Sequence, residues 1–131
     1  MTDATNKASA RAYFEQFLNK GDMAAADEIF APEVKFHYPL DDLSGVTAVK
    51  SYVSAVRTAF PDIQFNIADL ISEQDRIAAR WSLVGSQTGE FRGNPPSNKT
   101  VGVSGITIFN FEHGKIGEMW VAFDPAGLID D

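Results

Sequence analysis

The chain has no cysteine and only two histidines, His37 and His113. The missing thiol excludes disulfides, thiolate metal ligands and a cysteine nucleophile. The two histidines lie 76 positions apart and show no metal-binding spacing, so we expect no metal site. A P-loop-like stretch over 93–100 has Asn98 where the second glycine belongs, together with two prolines, so it cannot cradle a phosphate.

Positive charge is also scarce, with 11 Lys and Arg against 18 Asp and Glu and a formal net charge of -7. This balance argues against binding to nucleic acid or to an anionic membrane. No apolar run approaches the roughly 20 residues of a membrane helix, and the N-terminus lacks an apolar signal region. We therefore expect a cytoplasmic protein whose partner is a small hydrophobic molecule.

What the chain does contain is typical of one globular domain over residues 1–131, with 44% hydrophobic and 22% charged residues. Apolar spacing and turn residues predict three helices, at about Ala4–Lys20, Asp22–Phe30 and Val46–Phe60. Alternation predicts five strands, at Val34–Tyr38, Gln64–Ser72, Arg76–Ser86, Val101–Phe111 and Lys115–Phe123. Helices followed by a long antiparallel meander indicate an α+β fold.

The two faces of this meander differ in character. We expect the sheet to curl around the first and third helices and to leave a cavity between sheet and helix. In the last strand, period-2 alternation places one set of side chains on the face expected to line that cavity: Ile116, Glu118, Trp120, Ala122 and Asp124. The opposite face is expected to be exposed and to need cover, which favours a homodimer; it carries Phe109, Phe111, Val121 and Phe123.

Several stretches are similar to the SnoaL-like polyketide cyclases, a family of the NTF2-like superfamily. The resemblance implies a cone-shaped α+β barrel around a mostly apolar pocket, often in a homodimer, and catalysis without a cofactor. It is carried by Phe30–His37, Ala59–Asp62, Gly85–Pro96 and Gly114–Trp120, followed by Asp124 and by Gly127–Leu128.

Asp124 is the candidate catalytic residue. The resemblance implies that it acts as the acid/base of an intramolecular aldol closure. A carboxyl group that loses hydration beside Trp120 would suit proton transfer near neutral pH. The alternative interpretation is structural, since Asp124 precedes a proline and can be the N-cap of a final helical turn over Pro125–Ile129.

Four further residues are candidates for substrate binding. His37 can orient a carbonyl group or be satisfied by backbone near a strand end, and Gln87 can donate to a ligand through its amide. Glu118 can face the ligand or pair with Arg80, whereas Trp120 can form a wall or fill the core. Relatives often carry histidine at the positions of Gln87 and Met119, so this chain departs from the family at both.

The leading hypothesis is a cofactor-independent enzyme that performs proton transfer on a hydrophobic carbonyl compound. The first alternative is a binding protein that holds an apolar metabolite without chemistry. The second is a hydrolase similar to limonene epoxide hydrolases, although the Asp-Arg-Asp arrangement that it requires is not evident in the sequence.

Overall fold

The computed structural model describes residues 3–39 and 41–124. Three helical regions are present: α1 spans Asp3–Ala12 and continues as a π-helical segment over Tyr13–Leu18, α2 spans Met23–Ile29, and α3 spans Val46–Ala59. The expected final turn over Pro125–Ile129 lies outside the described residues. None of the helices in the described ranges has the length and hydrophobicity to cross a bilayer.

Six strands form one curved, open sheet. They are β1 (Phe30–His37), β2 (Asp42–Ser44), β3 (Gln64–Glu73), β4 (Arg76–Ser86), β5 (Thr100–Glu112) and β6 (Lys115–Ala122), in the spatial order β2-β1-β6-β5-β4-β3. The predicted α+β class is confirmed. The predicted antiparallel meander is formed by β3 to β6. Because β1 pairs in parallel with β6, the whole sheet is mixed, and its two edges stay open.

The π-helical segment explains how the first helix buries two adjacent pairs of side chains. Its wider turn is visible where the Asn19 amide donates to the Phe14 carbonyl at 2.9 Å, five residues back. Gly21, with φ of +70°, ends the helical region as predicted, and the Asp22 carboxylate caps α2 by accepting from the Ala24 amide. The segment thus presents to the sheet Tyr13, Phe14, Phe17 and Leu18.

Two predicted hairpins are present, joining β3 to β4 and β5 to β6. The second turns at His113 and Gly114, both with positive φ, as a two-residue hairpin loop requires. The short strand β2 was not predicted, since the segment Asp41–Gly45 reads as a loop. It pairs with the end of β1, which begins four residues earlier than expected.

The core lies on the face of the sheet that the helices cover. Tyr13 and Phe14 pack edge-on against Phe109, with ring centroids 5.4 and 6.1 Å apart. The prediction that Phe109, Phe111, Val121 and Phe123 lie on the outer face is wrong, because the first two are fully buried and the last two contact the core. The outer face instead exposes Val84, Ile106 and Ile108.

Candidate functional site

A cavity of about 50 Å³ lies between the helices and the inner face of the sheet. This space holds only a few waters and is smaller than the roughly 300–1,000 Å³ of typical ligand pockets. A ligand with more than a few heavy atoms must therefore displace part of the wall. The wall is formed by Tyr13, Phe14, Leu18, Phe36, Tyr38, Tyr52, Val53, Val56, Arg57, Ile63, Phe65, Trp81, Leu83, Thr107, Val121 and Phe123.

Three tyrosines contribute hydroxyl groups to this largely apolar wall. Tyr13 comes from the π-helical segment, Tyr38 follows β1, and Tyr52 lies on α3. Burial raises the pKa of Tyr38 to about 12, and it raises the pKa values of Tyr13 and Tyr52 as well. All three phenols therefore keep their protons near neutral pH and can donate hydrogen bonds to a ligand oxygen.

The Tyr52 hydroxyl stands out among the three. Its ring packs edge-on against Tyr38, with centroids 4.6 Å apart. The Tyr38 hydroxyl lies close enough to raise the pKa of Tyr52 further through a side-chain contact, but this contact lacks the geometry of a well-formed hydrogen bond. A buried hydroxyl without a well-formed hydrogen bond costs about 1–3 kcal/mol. A ligand oxygen that accepts a hydrogen bond from Tyr52 would therefore bind favourably.

Proton-accepting side chains are missing from the wall. Among the lining residues in the described part of the chain there is no aspartate, glutamate or histidine, and Arg57 is the single charged group. The indole N–H of Trp81 already has a hydrogen-bond acceptor, because it donates to the Thr107 hydroxyl at 2.9 Å. The cavity itself thus offers hydrogen-bond donors and one cation.

Three of the predicted site residues lie together, but on the outer face. The His37 Nε2 atom lies 2.6 Å from a Glu118 carboxylate oxygen, and Nδ1 lies 3.1 Å from Asp42. The hydrogen bond with Glu118, and next that with Asp42, raises the pKa of His37. Trp120 stacks on the imidazole with ring centroids 5.7 Å apart, and the guanidinium of Arg76 lies 5.5 Å from the Trp120 ring centroid. The prediction that His37, Glu118 and Trp120 face the cavity is therefore wrong.

A β-bulge at Gly117 causes this reversal. Phe111 pairs with Ile116 and Asn110 pairs with Glu118, so Gly117 has no partner on β5. The extra residue shifts the alternation by one position, which turns Met119 and Val121 inward and Glu118 outward. A glycine after the first buried residue of the strand was the available signal for such a bulge.

The buried side chain of Gln87 forms hydrogen bonds within the loop between β4 and β5 and does not reach the cavity. Its amide nitrogen donates to the carbonyls of Gly89, Asn94 and Pro95 at 3.1–3.2 Å. Its backbone also pairs with Lys99 and Asn98. The side chain does not line the cavity, and the predicted contact of Gln87 with a ligand stays a prediction.

A family model for the SnoaL-like polyketide cyclases matches residues 8–131, which is nearly the whole chain. The chain belongs to this family. The resemblance noted in the sequence is thereby confirmed. No curated protein matches the chain.

Solved structures of other SnoaL-like and related proteins share the fold. The chain is similar to TsrD from Streptomyces laurentii, with a TM-score of 0.88, 25% identity and coverage of 98% of this chain and 94% of that one. It is also similar to a SnoaL-like polyketide cyclase from Agrobacterium tumefaciens, with a TM-score of 0.79, 21% identity and coverage of 98% and 96%. These likenesses confirm the NTF2-like fold.

In this SnoaL-like chain, Asp124 lies two residues beyond the end of β6, and its side chain is exposed. It does not line the cavity, although its neighbour Phe123 does. The expectation that this carboxylate faces an enclosed apolar chamber is therefore wrong. The acid/base role implied by the family stays a prediction, and the alternative role as N-cap concerns residues outside the described ranges.

The tyrosines were missed as site residues although the sequence carried a signal for two of them. Alternation in β1 places Tyr38 on the same side as Val34 and Phe36, the apolar side. In α3, Tyr52 lies three residues after Val49, within the apolar stripe that faces the sheet. Both positions were visible as core positions, but the surroundings of their hydroxyls depend on packing between separate elements.

Proposed function

We propose that this SnoaL-like protein binds a hydrophobic carbonyl compound in the tyrosine-lined cavity and catalyses its enolisation without a cofactor. The observation that carries the proposal is the buried phenol of Tyr52, which lies beside Tyr38 in a largely apolar wall and makes no well-formed hydrogen bond to a described residue. A carbonyl oxygen can accept from this phenol, and the same hydrogen bond strengthens as negative charge develops on the oxygen.

The proton balance of the proposed reaction is simple. A carboxylate removes a proton from the carbon next to the carbonyl, and the resulting enolate oxygen is stabilised by tyrosine hydroxyls. The enolate carbon then attacks a second carbonyl of the same molecule, a carbon–carbon bond forms, and the new alkoxide takes the proton back. We assign the carboxylate role to Asp124, which the family resemblance favours and which directly follows the wall residue Phe123. Because the Asp124 side chain is exposed, this role requires its carboxylate to turn toward the cavity when a ligand is bound.

Two closely matched ligands test the binding step. Acetophenone and ethylbenzene have similar shapes, but only acetophenone carries a carbonyl oxygen. Trp81 lines the cavity, so its fluorescence reports occupancy once the other tryptophan is removed by Trp120→Phe. We expect acetophenone to bind roughly tenfold more tightly than ethylbenzene, and we expect Tyr52→Phe to remove this preference.

Deuterium exchange tests the chemical step. We expect the protein to accelerate incorporation of deuterium from D₂O into the acetophenone methyl group, as measured by mass spectrometry. Asp124→Asn should keep binding and lose this exchange. Exchange that is unchanged in Asp124→Asn would refute the role of Asp124.

The second candidate function is binding without chemistry. It is favoured by one observation, namely that no carboxylate or imidazole is found among the described lining residues. Binding of acetophenone without any accelerated exchange would select this function. The hydrolase alternative lacks support, since the wall holds Arg57 without the two aspartates that it requires.

We further propose that a second copy of the chain covers the outer face. Ile106 and Ile108 are 47% and 37% exposed there, and across β5–β6 they pair with Ala122 and Trp120. Arg76 and Arg80 flank this apolar centre on one side, and Glu118 lies on the other. A two-fold axis near β5 would bring the arginine side of one copy against the Glu118 side of its partner.

A further inference from the structure

Arg57 occupies an unusual position for a charged residue. It lies in the last turn of α3 and contributes to the wall of the apolar cavity. Its Nη1 atom donates to the carbonyls of Leu18 and Asn19, at 2.7 and 2.8 Å. Because Leu18 also lines the cavity, these two bonds hold the guanidinium at the cavity's edge.

This guanidinium lacks a counter-ion in the described part of the chain. Its hydrogen bonds there go to two neutral carbonyls, and no described carboxylate forms a salt bridge with it. A guanidinium has five N–H donors, and these contacts use only those on Nη1. The Nε side of the guanidinium packs against Gly21, so the Nη2 donors are the ones left for another acceptor, and a carboxylate is the acceptor that a guanidinium favours.

The surrounding backbone fixes this position. A Cβ atom on Gly21 would lie 2.5 Å from the Arg57 Nε atom, so the guanidinium occupies space that only glycine leaves open. The Asn19 side chain anchors the same turn to the sheet, accepting from the Phe65 amide at 2.7 Å and donating to the Phe65 carbonyl at 3.0 Å. The cation is therefore held in place before any ligand arrives.

Arg57 also borders the protein surface. On its other side lies an open groove of about 380 Å³, lined by Gly21, Met23, Ser54, Arg57, Thr58 and Pro61. The hydroxyls of Ser54 and Thr58 make this groove polar, in contrast to the cavity. One residue thus separates a small apolar chamber from a larger polar groove.

We propose that the ligand is an amphipathic carboxylic acid whose carboxylate pairs with Arg57 and whose apolar part enters the cavity. This inference rests on the proposed function and narrows its substrate class to hydrophobic keto acids. A neutral compound would leave the guanidinium of Arg57 without a counter-ion, so the acid should bind more tightly than an uncharged analogue of the same shape.

The test compares 4-phenylbutyrate with 4-phenylbutyramide, in the Trp120→Phe background, by Trp81 fluorescence at pH 7. We expect the acid to bind on the order of tenfold more tightly, with a preference that shrinks as salt is added. Arg57→Gln should bring the ratio of the two affinities to about one. The matched control is Arg80→Gln, which removes the same charge from the outer face, where the Arg80 side chain is 61% exposed, and should keep the preference.

If Arg57→Gln fails to fold, the affinities of the acid and the amide for the protein that keeps Arg57 decide whether the carboxylate is recognised. Equal affinities of acid and amide would overturn the inference, and so would an Arg57→Gln variant that weakens both ligands equally, since that result indicates a purely structural role. If acetophenone binds and the acid shows no advantage, only the carboxylate assignment fails. If none of the three compounds binds, the proposed function fails with it.

Discussion

Replacing Gly105 by alanine is expected to destabilise the protein, because the added methyl group would clash with Trp81 in the cavity wall. A Cβ atom at this position would lie 2.5 Å from Trp81 Cζ2 and 2.8 Å from the Ala122 carbonyl oxygen, well inside ordinary contact distances of 3.4–4 Å. The indole must therefore move by close to 1 Å, which also strains its hydrogen bond to Thr107. Overpacking of this kind costs about 1–3 kcal/mol, and weakening of the buried hydrogen bond adds about 0.5–1 kcal/mol.

We therefore expect Gly105→Ala to lower the free energy of unfolding by roughly 2–4 kcal/mol and the Tm by about 10 °C. The assay is urea and thermal unfolding followed by circular dichroism. Gly102→Ala on the same strand is the matched control, because the nearest atom to its added Cβ would be the Leu83 carbonyl oxygen at 3.9 Å. Equal stability of the two variants would refute the close packing of Trp81 on Gly105.

Three further predictions concern other parts of the molecule. Asn6 is buried with both amide atoms unpaired among the described residues, so Asn6→Leu should raise the free energy of unfolding by about 1–2 kcal/mol in urea titrations, whereas Asn6→Asp should lower it. The pKa of His37 is raised by Glu118 and Asp42, so the stability that His37 contributes is complete below about pH 6.5 and is lost as the pH rises through the raised value. His37→Gln should accordingly cost more stability near pH 6 than near pH 9. Ile108→Lys should shift the mass in light scattering from a dimer to the 14.3 kDa monomer, and a wild type that is already monomeric would refute the dimer.

The elements of the fold could be predicted because their signals are local. Gly21 ends the first helix, Asp22 caps the second, and His113-Gly114 turns the last hairpin, each through backbone preferences within a few residues. The parallel pairing of β1 with β6 could not be predicted in this way, since it joins segments about 80 residues apart and follows from how the chain packs as a whole.

The site was harder to predict because one residue of register decides which face a side chain joins. The bulge at Gly117 moves Glu118 and Trp120 to the outer face, and strict alternation cannot anticipate it. For the same reason Phe109 and Phe111 were assigned to the wrong side. The sequence of β5 did not distinguish the two faces, because apolar side chains occur on both, Val101 and Val103 on the inner face and Ile106 and Ile108 on the outer one.

Arg57 shows a further limit of sequence analysis. It looks like an ordinary basic residue in the last turn of a helix, a position that favours positive charge through the helix dipole. Its relation to the cavity depends on Leu18, Asn19 and Gly21, which lie almost 40 residues earlier. Such a contact becomes visible only when the helices are placed against each other.

The most direct test of the account is to locate a bound carbonyl ligand. Intermolecular NOEs between acetophenone and methyl-labelled protein should involve the cavity-lining methyls of Val53, Leu83 and Val121. NOEs that instead involve Ile106 and Ile108 on the outer face, or a saturating ligand that gives no NOE to the cavity methyls, would contradict the central claim.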